Sequence, residues 1–118
     1  MARVLIVDDD ESDRLLQRVV LERAGHELFF ARTGEEAVKI YLRSDIDVLV
    51  SDLEMPHGDG LELVDAIAAL GPHVRIVVVS GKGPEMLEKA RSLGAHVTLS
   101  KPIDPKALIE AVGKVGKR

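Results

Sequence analysis

Short apolar runs of strand type alternate with amphipathic stretches of helical type along the whole chain, and no two of either kind are consecutive. Arg3-Val4-Leu5-Ile6-Val7 is a continuous β-branched run of the kind a sheet covered on both faces requires. Leu28–Ala31, Val48–Val50, Val74–Val79 and Val97–Leu99 are four further strands. Between them, apolar residues recur at helical spacing. Leu15, Leu16, Val19, Val20 and Ala24 form the first stripe, closed by Gly25. Ala37, Val38, Tyr41 and Leu42 form the second, opened by Thr33-Gly34-Glu35-Glu36 at capping-box spacing. Leu61, Val64, Ile67 and Ala68 form the third, with Asp59 as its cap and Gly71-Pro72 as its stop. Met86, Leu87, Ala90 and Leu93 follow Pro84 and end at Gly94. Leu108, Ile109 and Val112 follow Asp104-Pro105, and Lys114, Lys117 and Arg118 lie near the negative end of this last helix.

Strict alternation predicts a (βα)5 α/β domain: a doubly wound parallel sheet with right-handed crossovers and helices on both faces. The flavodoxin-like strand order 2-1-3-4-5 is the expectation for this class. At 118 residues the chain is expected to make one domain, 1–118, with a core of its own and with no internal linker or effector domain.

In such a sheet, ligands bind just beyond the carboxyl ends of the strands. The first strand ends in Asp8-Asp9-Asp10, the third in Asp52, the fourth in Ser80, and Lys101 follows the fifth. In the order 2-1-3-4-5 all of these groups face one crevice. Each could be ordinary alone: Asp as a turn or helix cap, Ser as a turn hydroxyl, Lys as a solvated surface charge. Their convergence on one point argues for a site.

Two carboxylates about 4 Å apart repel by roughly 4 kcal/mol at an effective dielectric of 20. Three in one crevice call for a cation or for protonation. Hard oxygen donors select Mg²⁺ or Mn²⁺, and Mg²⁺ keeps coordination positions open for phosphate oxygens. The Lys101 ammonium and the Ser80 hydroxyl complete a clamp for a phosphoryl group. Asp52, central and on a rigid strand end, is the natural nucleophile, giving an aspartyl phosphate.

Composition narrows the partners. Twenty acids against sixteen bases give no polyanion-binding surface, and two Phe, one Tyr and no Trp offer little to stack on bases, so no nucleic acid partner is expected. With no cysteine there is no disulfide or thiolate chemistry. No apolar run approaches the ~20 residues of a membrane span, and no signal peptide is evident, so the expected location is the cytoplasm.

Val4–Asp10, Asp52-Leu53-Glu54-Met55-Pro56 with Asp59-Gly60, Ser80-Gly81, Gly94-Ala95 and Lys101-Pro102 together resemble the receiver domain of two-component response regulators, of the stand-alone chemotaxis-regulator type, over essentially the whole chain. The resemblance implies that Asp52 accepts a phosphoryl group from a sensor histidine kinase or a histidine phosphotransfer protein. It implies that Asp9, Asp52 and the backbone carbonyl of Glu54 bind Mg²⁺, and that Asp8 helps to place the ion. Ser80 and Lys101 would contact the phosphoryl oxygens, and the Lys101-Pro102 peptide bond would be cis. The output would be contact with a downstream protein, and the only catalysis would be the domain's own phosphorylation and dephosphorylation. A phosphorelay shuttle, or the receiver piece of a longer regulator, is the alternative.

Two positions depart from the family pattern. Thr98 stands three before the lysine, where many receivers carry an aromatic, and Gly81 stands where Ala is common. Glu54 and Lys82 are expected at the mouth of the site, where they could pair as a loose gate. Docking is expected around the first helix and the Lys101-Pro102 loop. A haloacid-dehalogenase-type phosphatase uses a similar set, but with the nucleophile after the first strand and the acidic pair late; here that order is reversed. A flavodoxin-like flavin protein wants a hydroxyl- and glycine-rich loop where this chain has Asp8-Asp9-Asp10-Glu11.

Overall fold

A computed structural model describes residues 1–55 and 59–115. Ten elements alternate without exception: β1 Arg3–Val7, α1 Glu11–Arg23, β2 Glu27–Ala31, α2 Gly34–Arg43, β3 Val48–Asp52, α3 Asp59–Leu70, β4 Arg75–Ser80, α4 Pro84–Leu93, β5 Val97–Ser100 and α5 Pro105–Val115. The strands form one parallel sheet in the order β2-β1-β3-β4-β5, as the alternation predicts.

Because the strands are covered on both faces, their side chains divide between two cores. Leu5, Val7, Leu49, Ile76 and Val78 face the layer of α2, α3 and α4, where Ala37, Leu63, Val64, Ile67 and Ala90 meet them. Val4, Ile6, Val48, Val50, Val77 and Val79 face α1 and α5, where Leu21, Leu108, Ala111 and Val112 close the other side. This two-sided burial is why the strands read as unbroken apolar runs. β3 is buried along its whole length, Asp52 included.

Local signals set the element ends. Asp10 caps α1 by accepting from the Asp13 N–H at 2.9 Å. Thr33 caps α2 by accepting from the Glu36 N–H at 3.1 Å. Glu36 reaches one residue further back than a standard capping box and accepts from the Arg32 N–H at 3.0 Å. Gly94, at φ +125°, ends α4 in a conformation closed to ordinary side chains. β3, β4 and β5 run further than their apolar cores, to Asp52, Ser80 and Ser100, while β2 and β4 each start one residue away from the expected position.

The helix stripes need correction. In α1 the side chains of Leu15, Leu16 and Val19 are 58, 37 and 41% exposed, and Ala24 is exposed too. The buried positions are Gln17 and Leu21, with Val20 only half-buried. The first two turns of α1 face a charged crevice, so polar contacts set which side of the helix turns inward. Leu42 on α2 and Ile109 on α5 are also exposed, and Leu63 and Ala111 are buried although the stripes omit them. Pro56, Gly58, Gly116, Lys117 and Arg118, and the side chains of Asp59 and Lys114, lie outside the described residues. No helix among the described residues is long and apolar enough to cross a membrane.

Candidate functional site

Register builds the site. β1 pairs with β3 so that Val7 lies opposite Ser51, which brings the next residues, Asp8 and Asp52, level at the strand ends. β3 pairs with β4 so that Asp52 lies opposite Val79, and Ser80 follows one residue on. The Lys101 N–H donates to the Ser80 carbonyl at 2.9 Å, tying the lysine to the same edge. The Lys101-Pro102 bond is cis.

Asp52 is 3% exposed, yet both of its carboxylate oxygens are engaged. Oδ1 accepts from the Glu54 N–H at 2.9 Å, and Oδ2 lies 3.2 Å from Lys101 Nζ. Lys101 Nζ also lies 3.2 Å from Asp13 Oδ2. Burial works against the lysine's charge, but the Asp52 carboxylate, with help from Asp13 and Asp8, outweighs it and holds Lys101 above the ordinary lysine range.

Asp8 is buried as well. Its Oδ1 accepts from the Asp10 N–H at 2.9 Å and its Oδ2 from Gln17 Nε2 at 3.2 Å. The Arg14 guanidinium donates to the Asp8 carbonyl at 2.7 Å. Burial raises the Asp8 carboxyl from 3.8 to about 6; the Asp10 N–H and Lys101 oppose this, and Asp52 and Asp13 reinforce it. Asp9 is the exposed member of the acidic group.

Carboxylate oxygens of Asp8, Asp9 and Asp52 lie within 4.8 Å of one another, a spacing that can hold a metal ion. The donor set fits a hard divalent cation: oxygens alone, three carboxylates against the single ammonium of Lys101, and one carboxyl pushed toward its protonated form by burial that its hydrogen bonds and Lys101 only partly offset.

Ser80 is buried at the end of β4. Its Oγ–H donates to Glu54 Oε1 at 3.2 Å and its Oγ accepts from the Lys82 N–H at 3.0 Å. The Gly81 N–H also donates to Glu54 Oε1. Partial burial pushes the Glu54 carboxyl up, but the hydrogen bonds from Gly81 and Ser80 together hold it below the ordinary range. The expected pairing of Glu54 with Lys82 is not formed. The carboxylate takes the backbone and hydroxyl donors instead, because short fixed donors hold it at less entropic cost than a long lysine would.

The structure thus brings Asp8, Asp9, Asp52, Ser80 and Lys101 into one crevice, with Glu54 at its edge. Sequence reasoning missed Asp13, which shares the lysine, and Arg14 and Gln17, which hold Asp8. Their spacing was the available signal: Asp13, Gln17 and Leu21 recur every four residues and define the inward face of α1. Thr98 carries its own contact: its Oγ1 accepts from Arg91 Nη2 at 2.7 Å, and Arg91 is ion-paired with Glu88 on the same helix.

Fold and crevice together define a class: a doubly wound α/β domain whose central strand delivers a buried aspartate beside an acidic pair, a hydroxyl and an ammonium. The family model of the response regulator receiver domain matches residues 4–113. The chemotaxis protein CheY of Thermotoga maritima is 34% identical over 117 residues, covering 98% of both chains. Sporulation initiation phosphotransferase F of Bacillus subtilis is 28% identical, covering 95% of this chain and 91% of its own. The solved structure of the chemotaxis response regulator CheY4 of Vibrio cholerae superposes with a TM-score of 0.88 at 32% identity, covering 98% of each chain. The chain belongs to the response regulator receiver domain family, whose members carry two-component signals by phosphorylation on an aspartate.

Proposed function

We propose that Asp52 is the phosphoryl acceptor of this receiver domain. The observation that carries the reading is the engagement of Asp52 alone: a buried carboxylate at the end of the central strand, fixed by the Glu54 N–H on one oxygen and facing the Lys101 ammonium on the other. A carboxylate oxygen attacks the phosphorus of a phosphohistidine, the P–O bond forms as the P–N bond breaks, and the imidazole leaves with the bonding electron pair. Lys101 and Ser80 take up charge on the phosphoryl oxygens in flight and afterwards. Hydrolysis reverses the state when water attacks the same phosphorus and returns the carboxylate. These two reactions on itself are the domain's whole catalytic repertoire.

Asp8, Asp9, Asp52 and the backbone carbonyl of Glu54 are the residues that would hold Mg²⁺, or Mn²⁺ with the same donors. When bound, such an ion neutralises charge on the acceptor and on the incoming phosphoryl group. The donor is a sensor histidine kinase or a histidine phosphotransfer protein, and its histidine must reach Asp52. α1 begins at the rim of the crevice and presents Leu15, Leu16 and Val19 to solvent beside it, so a helical donor docks there by its own apolar side chains. Kinases that draw on ATP make the cytoplasm the working compartment.

The test is incubation with acetyl phosphate and Mg²⁺, followed by intact mass. One phosphoryl group is expected on the wild type and none on Asp52→Asn. Labelling that survives the substitution overturns the assignment.

A further inference from the structure

The donors at the end of β4 already hold an anion. Ser80 Oγ–H and the Gly81 N–H both point at one oxygen, Glu54 Oε1. The Lys82 N–H fastens the same turn to Ser80 Oγ. These groups follow directly on Val79, the register partner of Asp52, with Ser80 one residue beyond it and Gly81 two.

With Asp52 as the acceptor, as proposed above, Ser80 is the hydroxyl assigned to the terminal phosphoryl oxygens, and the Gly81 N–H follows it in the same turn, so the phosphoryl group would draw on the same donors. A proton serves one acceptor well and two poorly, and two anions on one pair of donors repel. The carboxylate and the phosphoryl group therefore exclude each other.

Gly81 is what lets the carboxylate in. A Cβ at position 81 would stand 3.0 Å from Glu54 Oε1 and 3.5 Å from Oε2. The atoms it would meet are the end of a flexible side chain, so alanine at 81 makes Glu54 give by a few tenths of an ångström, which loosens its contact and leaves the backbone in place. Gly81 lies outside the left-handed region, so alanine is conformationally free there.

We propose that Glu54 is an internal occupant of the phosphoryl pocket. Its carboxylate holds Ser80 and Gly81 in the unphosphorylated protein and must swing out before they can hold a phosphoryl group. This rests on Asp52 being the acceptor. It makes Glu54 a positioning residue that slows loading, and it couples the side chain at 54 to the size of the residue at 81.

Three variants test it: Glu54→Ala, Glu54→Gln and Gly81→Ala. In metal-free protein, the Gly81 amide proton should move upfield in Glu54→Ala, which reads the contact without any phosphorylation. With Mg²⁺ present, beryllofluoride, a phosphoryl mimic, should bind about tenfold more tightly to Glu54→Ala than to the wild type, with Glu54→Gln and Gly81→Ala between, as expected for losing or loosening a charge-assisted contact. The double variant Glu54→Ala/Gly81→Ala should gain no more than Glu54→Ala alone. Acetyl phosphate labelling should accelerate in the same order. Unchanged or weaker beryllofluoride binding in both single variants overturns the proposal, as does full additivity. Wild-type labelling on Asp52 with unaltered variant rates sinks this proposal alone, whereas wild-type labelling elsewhere than Asp52 sinks the acceptor reading with it.

Discussion

Gly60 backs onto Leu53 so closely that a Cβ on Gly60 would stand 2.6 Å from the Leu53 Cα and 2.9 Å from the Asp52 carbonyl oxygen. The start of α3 and the turn after β3 share a space that admits no side chain. Gly60→Ala must push α3 away from the turn or push the turn toward the crevice. The expected cost is roughly 1–3 kcal/mol, as for other overpacked sites. Acetyl phosphate labelling of Asp52 should slow as the carboxylate shifts. Urea unfolding and labelling rates check both; unchanged stability would show that the contact relaxes freely.

Asp8 gives a prediction of the opposite sign. Its folded-state value, raised by burial to about 6, lies above its ordinary 3.8. A raised carboxyl contributes stability when protonated, and that contribution is lost as pH climbs from about 4 through 6. At pH 7 the metal-free fold therefore carries an uncompensated charge. Asp8→Asn should stabilise it by roughly 2–3 kcal/mol in chelator. Added Mg²⁺ should stabilise the wild type more than the variant. Unfolding at pH 7 with and without Mg²⁺ decides, and a variant less stable in chelator would contradict the argument.

His26 and His96 stand in matching positions at the opposite end of the sheet. His26 Nδ1 accepts from the Ala2 N–H at 3.0 Å, and His96 Nδ1 accepts from the Ile76 N–H at 3.0 Å. A nitrogen that accepts is unprotonated. Burial lowers both histidines, joined at His26 by the chain's N-terminal ammonium and at His96 by Arg75. Groups lowered below 6.5 contribute stability that is complete above that pH and lost as pH falls through it. Asp8 titrates in the same range with the opposite sign, so the effect is best read in the Asp8→Asn background. There the melting temperature should fall between pH 7 and pH 5, and His26→Gln/His96→Gln should flatten the slope.

The exposed side chains of α1 predict a separation of donors. Leu15→Asp and Val19→Asp change solvent-facing positions, so stability should move by no more than about 0.5 kcal/mol. Transfer from a histidine phosphotransfer protein should fall about tenfold or more, as for loss of a buried interface contact. Labelling by acetyl phosphate should stay near the wild-type rate. Equal losses with both donors would locate the defect in the crevice.

The order of elements was legible because two-sided burial writes itself into sequence as unbroken apolar runs, and Asp8, Asp9, Asp52, Ser80 and Lys101 were legible because each follows such a run. The facing of α1 was not. Leu15, Leu16 and Val19 make a convincing apolar stripe, but Asp13 and Gln17 are drawn inward by Lys101 and Asp8, which are distant in the chain. The recurrence of Asp13, Gln17 and Leu21 every four residues is the only trace of that facing in the segment, and the longer apolar stripe outweighs it until the contact between residues 13 and 101 is known. The Glu54 contact was invisible for a related reason: charge alone suggests Lys82, and only the path of the backbone shows that Gly81 and Ser80 are closer.

The two cores never merge, because the sheet stands between them. A residue exchanged under α5 meets Val77 and Val79 but not Ile76 or Val78. Each helical layer can therefore be rebuilt as a separate module, with β3 and its neighbours as a shared spine. An engineer wanting a new surface on α4 can vary the α2–α3–α4 layer while the α1–α5 layer, with the docking face proposed for α1, is left untouched.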